Sequence, residues 1–123
     1  MTKRFGKAKF GNIKTGKYDS KKESQYATGL KLQMQIDNSP NSETPSYERI
    51  TNIEEQVVYT LIPAQRGADG KIKERACKYI ADFRITYGSG RTVVVDVKGF
   101  RTADYVIKRK LMLHMYNIEI KEV

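Results

Sequence analysis

The amino-acid sequence predicts an α/β domain in which a small mixed sheet is flanked by helices. Three observations carry that prediction. Ala27, Leu30 and Met34 repeat at helical spacing behind Ser20, with Tyr26 beside them. Two alternating segments, Cys77–Tyr87 and Arg91–Lys98, are rich in β-branched and aromatic residues and meet at Gly88-Ser89-Gly90. A second helical stripe, Ile107, Leu111 and Met115, leads into an alternating tail, Ile118–Val123. With Ile53–Ile62 as a further strand, the predicted order is helix, three strands, helix, strand.

Each element has a local reason. The first helix starts near Ser20, where Ser20-Lys21-Lys22-Glu23 has the form of a capping box with Glu23 at the third helical position. Glu23 also falls on the stripe of Ala27, Leu30 and Met34, so it points toward the sheet, and the two roles are compatible. Gly29 weakens the helix slightly. Residues 37–52, DNSPNSETPSYERITN, carry two prolines and few apolar groups, which predicts a loop with a short helical turn around Tyr47–Ile50. Pro63 ends the first strand. Gly67–Lys71 is turn chemistry without the spacing of a phosphate loop. Thr102 caps the second helix, Ala103–Tyr116, with Asp104 well placed in its first turn, and Asn117 stops it.

The 123 residues suffice for one domain with a modest core. No apolar run approaches the length of a membrane span, and the N-terminus MTKRFGKAKFGNIKTGKYDSKK has no apolar segment that resembles a secretory signal. The expectation is a cytoplasmic protein with no membrane partner. Cys77 stands alone, which excludes an internal disulfide and a cysteine-based zinc site and fits a small buried apolar residue. His114 has no ligand partner at useful spacing and fits a packing or surface position. Charge is more informative. The chain carries +9, and residues 1–22 hold eight basic residues against one acid. Residues 1–18 therefore read as a flexible basic arm, and 19–123 as a single domain. Phe5, Phe10 and Tyr18 lie among the lysines, a mixture suited to phosphates and bases, although a solubilising tail has the same composition.

The central puzzle is the pair of aspartates in YIADFRITYGSGRTVVVDVKGF. A three-residue turn from Gly88 to Gly90 sets Tyr87 against Arg91 and places Asp82 opposite Asp96, whereas a two-residue turn would put Asp96 on the other face from Asp82. Facing like charges destabilise a ladder. Asp96 and Lys98 share a face by parity, and Asp82 joins them in this register, while Ala81, Phe83, Ile85, Val93, Val95 and Val97 turn the other way. A divalent cation between the carboxylates would remove the repulsion, and Mg²⁺ is usually held by one or two carboxylates, waters and a substrate phosphate. An ordinary salt bridge from Lys98 to one aspartate is the competing explanation.

Glutamate on an early helix, aspartate in one strand and Asp-x-Lys in the next resembles the PD-(D/E)XK nuclease superfamily. The elements here are Glu23, Asp82 and Asp96-Val97-Lys98. SKKESQY, YIADF, VVVDVKGFRTADYVIKRKLM and YNIEIKEV look more closely like a family of small phage-encoded proteins of this superfamily, the Holliday-junction-resolvase-like nucleases. The resemblance covers Asp19 to Val123. It implies a restriction-endonuclease-like αβββαβ core, a bacterial host cytoplasm and a role in phage DNA recombination. The 37–52 loop is longer and more polar than that family leads one to expect, which bears on substrate choice. Ala81 replaces the proline of the motif, and no implied catalytic group is missing.

The resemblance further implies a metal-dependent endodeoxyribonuclease. Asp82 and Asp96 would hold Mg²⁺, with Mn²⁺ as a substitute and the Val97 backbone carbonyl as a further ligand. Lys98 would orient the attacking water and offset developing negative charge, and Glu23 would hold a second metal or its water. The DNA grip would come from Lys7, Lys9, Lys21, Lys22 and Gln56, from Arg101 and Thr102 at the start of the second helix, where backbone N–H groups can meet a phosphate, and from Lys108 and Lys110. Lys108-Arg109-Lys110 reads equally as a solvated face. Branched DNA is the expected substrate, and two symmetric cuts would require a homodimer. A non-catalytic DNA- or RNA-binding protein on a nuclease scaffold is the alternative.

Overall fold

A computed structural model of the chain describes residues 20–98 and 100–123. Helix α1 spans Lys21–Asp37 and is capped by Ser20, whose Oγ accepts from the Glu23 N–H at 3.1 Å. A loop with one 3₁₀ turn at Ser46–Glu48 leads into strand β1, Ile50–Ile62. Two short strands, β2 (Gln65–Arg66) and β3 (Ile72–Glu74), pair as a separate ribbon around the Gly67–Gly70 turn. Strands β4 (Cys77–Tyr87) and β5 (Thr92–Asp96), helix α2 (Ala103–Tyr116) and strand β6 (Lys121–Glu122) follow.

The main sheet has the order β1-β4-β5-β6. β1, β4 and β5 run antiparallel, and β6 lies parallel to β5 after the crossover through α2. The mixed α/β class is as expected. The β2–β3 ribbon was not foreseen, since its residues are exposed on both faces and show no alternation. β1 begins at Ile50, earlier than Ile53, because the buried Asp37 draws the chain in: its Oδ2 accepts from the Ile50 N–H at 2.9 Å, and its Oδ1 accepts from Gln33 and Thr44. β5 ends at Asp96 and β6 is confined to two residues, both shorter than predicted.

Two apolar clusters make the core. Ala27, Ile50, Phe83, Ile85 and Val95 pack with Tyr26, Leu30 and Met34, so the α1 stripe is where its spacing places it. Tyr59, Leu61, Tyr79, Ala81, Val94 and Ile120 pack with Tyr105 and Met112 of α2. Two expectations need correction. Ala81 does not share a face with Phe83 and Ile85; it belongs to the α2 cluster with Tyr79. The alternation inverts in β1 as well, where Ile53 packs with the α1 cluster but Tyr59 and Leu61 with the other. Gln56 marks the inversion: its φ of 55° lies in the left-handed region, which a regular strand cannot contain. The register on either side, Glu55–Phe83 and Val57–Ala81, places Gln56 opposite Asp82.

The second correction concerns α2. Ile107 and Met115 are 58% and 51% exposed, and only Leu111 of that stripe is drawn in. The inward face is Tyr105, Val106 and Met112, and Arg109 near its middle reaches Glu122 on β6. That part-buried arginine on the inward face hides the stripe from a hydrophobicity pattern. Thr102 Oγ caps the helix by accepting from the Tyr105 N–H, and Asn117 ends it at φ 56°. The hairpin turn is pinned by the 38–49 loop: the Gly88 N–H donates to the Arg49 carbonyl at 2.9 Å and the Ser89 N–H to that of Tyr47 at 3.1 Å.

Candidate functional site

The β4–β5 hairpin has the expected register. Phe83 pairs with Val95, Arg84 with Val94 and Ile85 with Val93, and the Tyr87 N–H donates to the Arg91 carbonyl at 2.9 Å. Asp82 and Asp96 each follow directly on the last pair of that ladder, Phe83 and Val95. They sit in different environments. Asp82 is half-buried, and its Oδ2 accepts from the Val97 N–H at 2.7 Å. Asp96 is 2% exposed, and its Oδ2 accepts from the Tyr79 hydroxyl at 2.5 Å. Its Oδ1 is buried without a hydrogen-bond partner among the described residues. Lys98 Nζ lies 3.9 Å from that oxygen, too far for a hydrogen bond, and 5.1 Å above the Tyr105 ring.

The backbone around the pair is tied down. The Lys98 N–H donates to the Val123 carbonyl, and the Val123 N–H donates to the Asp96 carbonyl at 3.0 Å. Lys22 Nζ donates to the Lys98 carbonyl at 3.4 Å, so the start of α1 meets the end of β5. Glu23, 5% exposed, approaches from the same turn of α1, and its Oε2 accepts from Gln56 Nε2 at 3.2 Å. Gln56 thus links Glu23 to the step of the sheet that carries Asp82.

A second polar cluster adjoins the first. Glu122 accepts from the Tyr105 hydroxyl at 2.7 Å and from Arg109 at 3.0 Å, and pairs with Arg101 Nε at 2.8 Å. These donors, the tyrosine hydroxyl first and Arg109 second, push its carboxyl down to about 2. Burial raises the Tyr79 hydroxyl far above its ordinary value, and its bond to Asp96 raises it further. Tyr105 is raised by burial and then by its bond to Glu122. The Tyr79 and Tyr105 rings lie 6.3 Å apart, which connects the two clusters.

Among the residues expected to grip DNA, Lys21 and Lys22 are exposed on the first turn of α1, and Arg101 and Thr102 are exposed where α2 begins. Lys110 is exposed and Lys108 half-buried farther along α2. Lys7 and Lys9, with the rest of the expected basic arm, lie outside the described residues. His114 is exposed, as its isolation suggested, and Cys77 is partly buried against the α2 cluster. Among the described residues no helix is long and apolar enough to cross a membrane.

Among the described residues no group of three or more His, Cys, Asp and Glu side chains is placed to hold a metal ion. What the hairpin offers is two carboxylates, one with a buried oxygen that lacks a donor among the described residues. Such an oxygen suits a hard cation whose remaining ligands are water and substrate oxygens. Sequence reasoning missed Tyr79, Tyr105 and Glu122. Tyr79 is of the wrong parity to meet Asp96 in a regular sheet, and only the inversion at Gln56 brings it there. Glu122 lies in an alternating tail whose register the sequence leaves open.

No curated protein and no solved structure gives a match to this chain. A family model described as a protein of unknown function, DUF1064, matches residues 3–122, nearly the whole length, and the chain belongs to that family.

Proposed function

We propose that the protein is a metal-dependent endodeoxyribonuclease that hydrolyses phosphodiester bonds in branched DNA. On this reading the α1, β1, β4, β5, α2, β6 frame is a restriction-endonuclease-like core, and the β2–β3 ribbon is an insertion. The observation that carries it is Asp96: a buried carboxylate one step past the pair Phe83–Val95, as Asp82 is, with an oxygen that no hydrogen bond satisfies among the described residues and a lysine two residues on. An acceptor left unpaired in a core costs about 1–3 kcal/mol, more if charged, and such sites call for an explanation.

Asp82 and Asp96 would hold the cation, with the Val97 carbonyl beside them. When bound, a Mg²⁺ ion supplies a nucleophile from water at neutral pH and offsets charge on the phosphoryl oxygens. Lys98 holds its ammonium beside the same carboxylate and stabilises the negative charge that builds as the phosphate is attacked. Tyr105 limits the positions open to Lys98 through the contact with its ring face. Arg101 is held by Glu122 through Nε, which leaves its two terminal nitrogens to meet a phosphate. Glu23 and Gln56 close the α1 side of the site.

The test is to incubate the purified full chain with four-way-junction, forked and plain duplex DNA in Mg²⁺. Faster cutting of the junction supports the proposed substrate class. Equal rates on all three keep the nuclease and overturn the preference for branches. Binding to all three without cutting in any metal points to the non-catalytic DNA-binding alternative.

A further inference from the structure

We propose that Tyr79 is a positioning residue, and that its hydroxyl fixes the Asp96 carboxylate with Oδ1 presented to the cation. This inference rests on the nuclease reading, because it assigns Asp96 a metal to bind. Asp96 can turn about its terminal torsion, which is broad and roughly two-fold. A carboxylate free to turn would present either oxygen, or neither, to the site. The Tyr79 hydroxyl removes that freedom by occupying Oδ2 at 2.5 Å, a short contact of the kind made to a charged acceptor.

The hydroxyl is itself held. Tyr79 is 4% exposed within the α2 cluster, its ring against Tyr105. Tyr105 is fixed in turn through its own hydroxyl to Glu122, which binds Arg101 and Arg109. The orientation of Asp96 thus depends on residues from β4, α2 and β6. Hydrogen bonds to a metal-binding carboxylate are part of the site, and their loss typically weakens metal binding about 10–100-fold. The inversion at Gln56 explains why Tyr79 is available for this role: with regular alternation it would face α1, away from Asp96.

The experiment is Mn²⁺ uptake by the full chain without DNA, counted by electron paramagnetic resonance of the free ion. It compares wild type, Asp96→Ala, Tyr79→Phe and Tyr116→Phe, with folding checked by circular dichroism. We expect uptake by wild type, loss in Asp96→Ala, affinity reduced about tenfold or more in Tyr79→Phe, and near-wild-type affinity in Tyr116→Phe, which loses a hydroxyl bonded instead to the Thr60 carbonyl. A variant with 4-aminophenylalanine in place of Tyr79 keeps the ring and a donor and should bind nearly as wild type does, so it tests the same claim should Tyr79→Phe fail to fold. Equal affinities in wild type and Tyr79→Phe, or a loss with 4-aminophenylalanine as large as with phenylalanine, overturn the role of Tyr79 and leave the nuclease reading intact. No uptake by wild type overturns that reading and this inference with it.

Discussion

Gln56 lies opposite Asp82 at the step where β1 and β4 both invert their alternation. The inversion lets one sheet cover α1 with Phe83 and Ile85 and cover α2 with Tyr79 and Ala81. It also turns the Gln56 amide toward Glu23. A non-glycine residue in the left-handed region costs of order 1–3 kcal/mol and persists where its surroundings over-determine it. Gln56→Gly should therefore be close to neutral in stability, with relief of strain offsetting the lost contact to Glu23. Gln56→Val, β-branched and unsuited to positive φ, should be less stable than Gln56→Gly by about 2 kcal/mol. Urea titrations of the two variants measure the difference, and equal midpoints would contradict this account of the inversion.

The same step explains what was legible in the sequence. The hairpin register follows from a three-residue turn, so the pairing from Thr86–Thr92 to Phe83–Val95 could be read without a structure. The α1 stripe and both helix caps were legible for similar local reasons: Ser20, Thr102 and Asn117 act within a few residues of themselves. Long-range arrangements were not. Strict alternation assigned Ala81 to the wrong cluster, because nothing in IEEQVVYTLI announces a left-handed glutamine. The α2 stripe was misplaced because Arg109, a polar residue on the inward side, is satisfied by Glu122, a partner thirteen residues away in sequence.

Lys98 is half-exposed and its ammonium touches the core only over the Tyr105 ring among the described residues, so its removal should largely spare the fold and affect the chemistry. Lys98→Ala should lower single-turnover cleavage roughly 100-fold or more, the loss typical of removing one group that stabilises transition-state charge, with Mn²⁺ uptake retained. Lys98→Arg should recover part of the rate. Unchanged cleavage in Lys98→Ala would remove this residue from the mechanism.

Glu122 gives the fold a pH dependence with a definite sign. Its carboxyl lies near 2 in the folded chain against an ordinary 4.5, so the folded state favours the ionised form. The stabilisation is complete above the unfolded value and is lost as pH falls through the folded one. The gap in melting temperature between wild type and Glu122→Gln should be constant from neutral pH to about 5 and shrink steadily between about 4.5 and 2. A gap that does not change over that range would show that the clamp on Arg101 and Arg109 contributes nothing as a charge.

Gly88 is required by a close approach of two backbones. A Cβ there would lie 1.9 Å from the Ser46 carbonyl oxygen, and a backbone atom cannot swing aside as a side chain can. Gly88→Ala must push the 38–49 loop off the hairpin turn and break the hydrogen bonds to Arg49 and Tyr47, with a loss of about 2–3 kcal/mol expected. Gly90, at φ 91° but with open space around it, should cost less when changed to alanine, about 1 kcal/mol. Chemical denaturation of both variants checks the order, and a larger loss at Gly90 would contradict it.

The central claim is that Asp96 serves a metal in phosphodiester hydrolysis. The most direct test is single-turnover cleavage of an end-labelled four-way junction by wild type and Asp96→Ala, each in Mg²⁺ and in EDTA. The account predicts cutting by wild type in Mg²⁺ alone and none by Asp96→Ala, with junction binding retained in both. Cutting that survives Asp96→Ala or EDTA would contradict it, as would a wild type that binds the junction and leaves it intact in Mg²⁺ and in Mn²⁺.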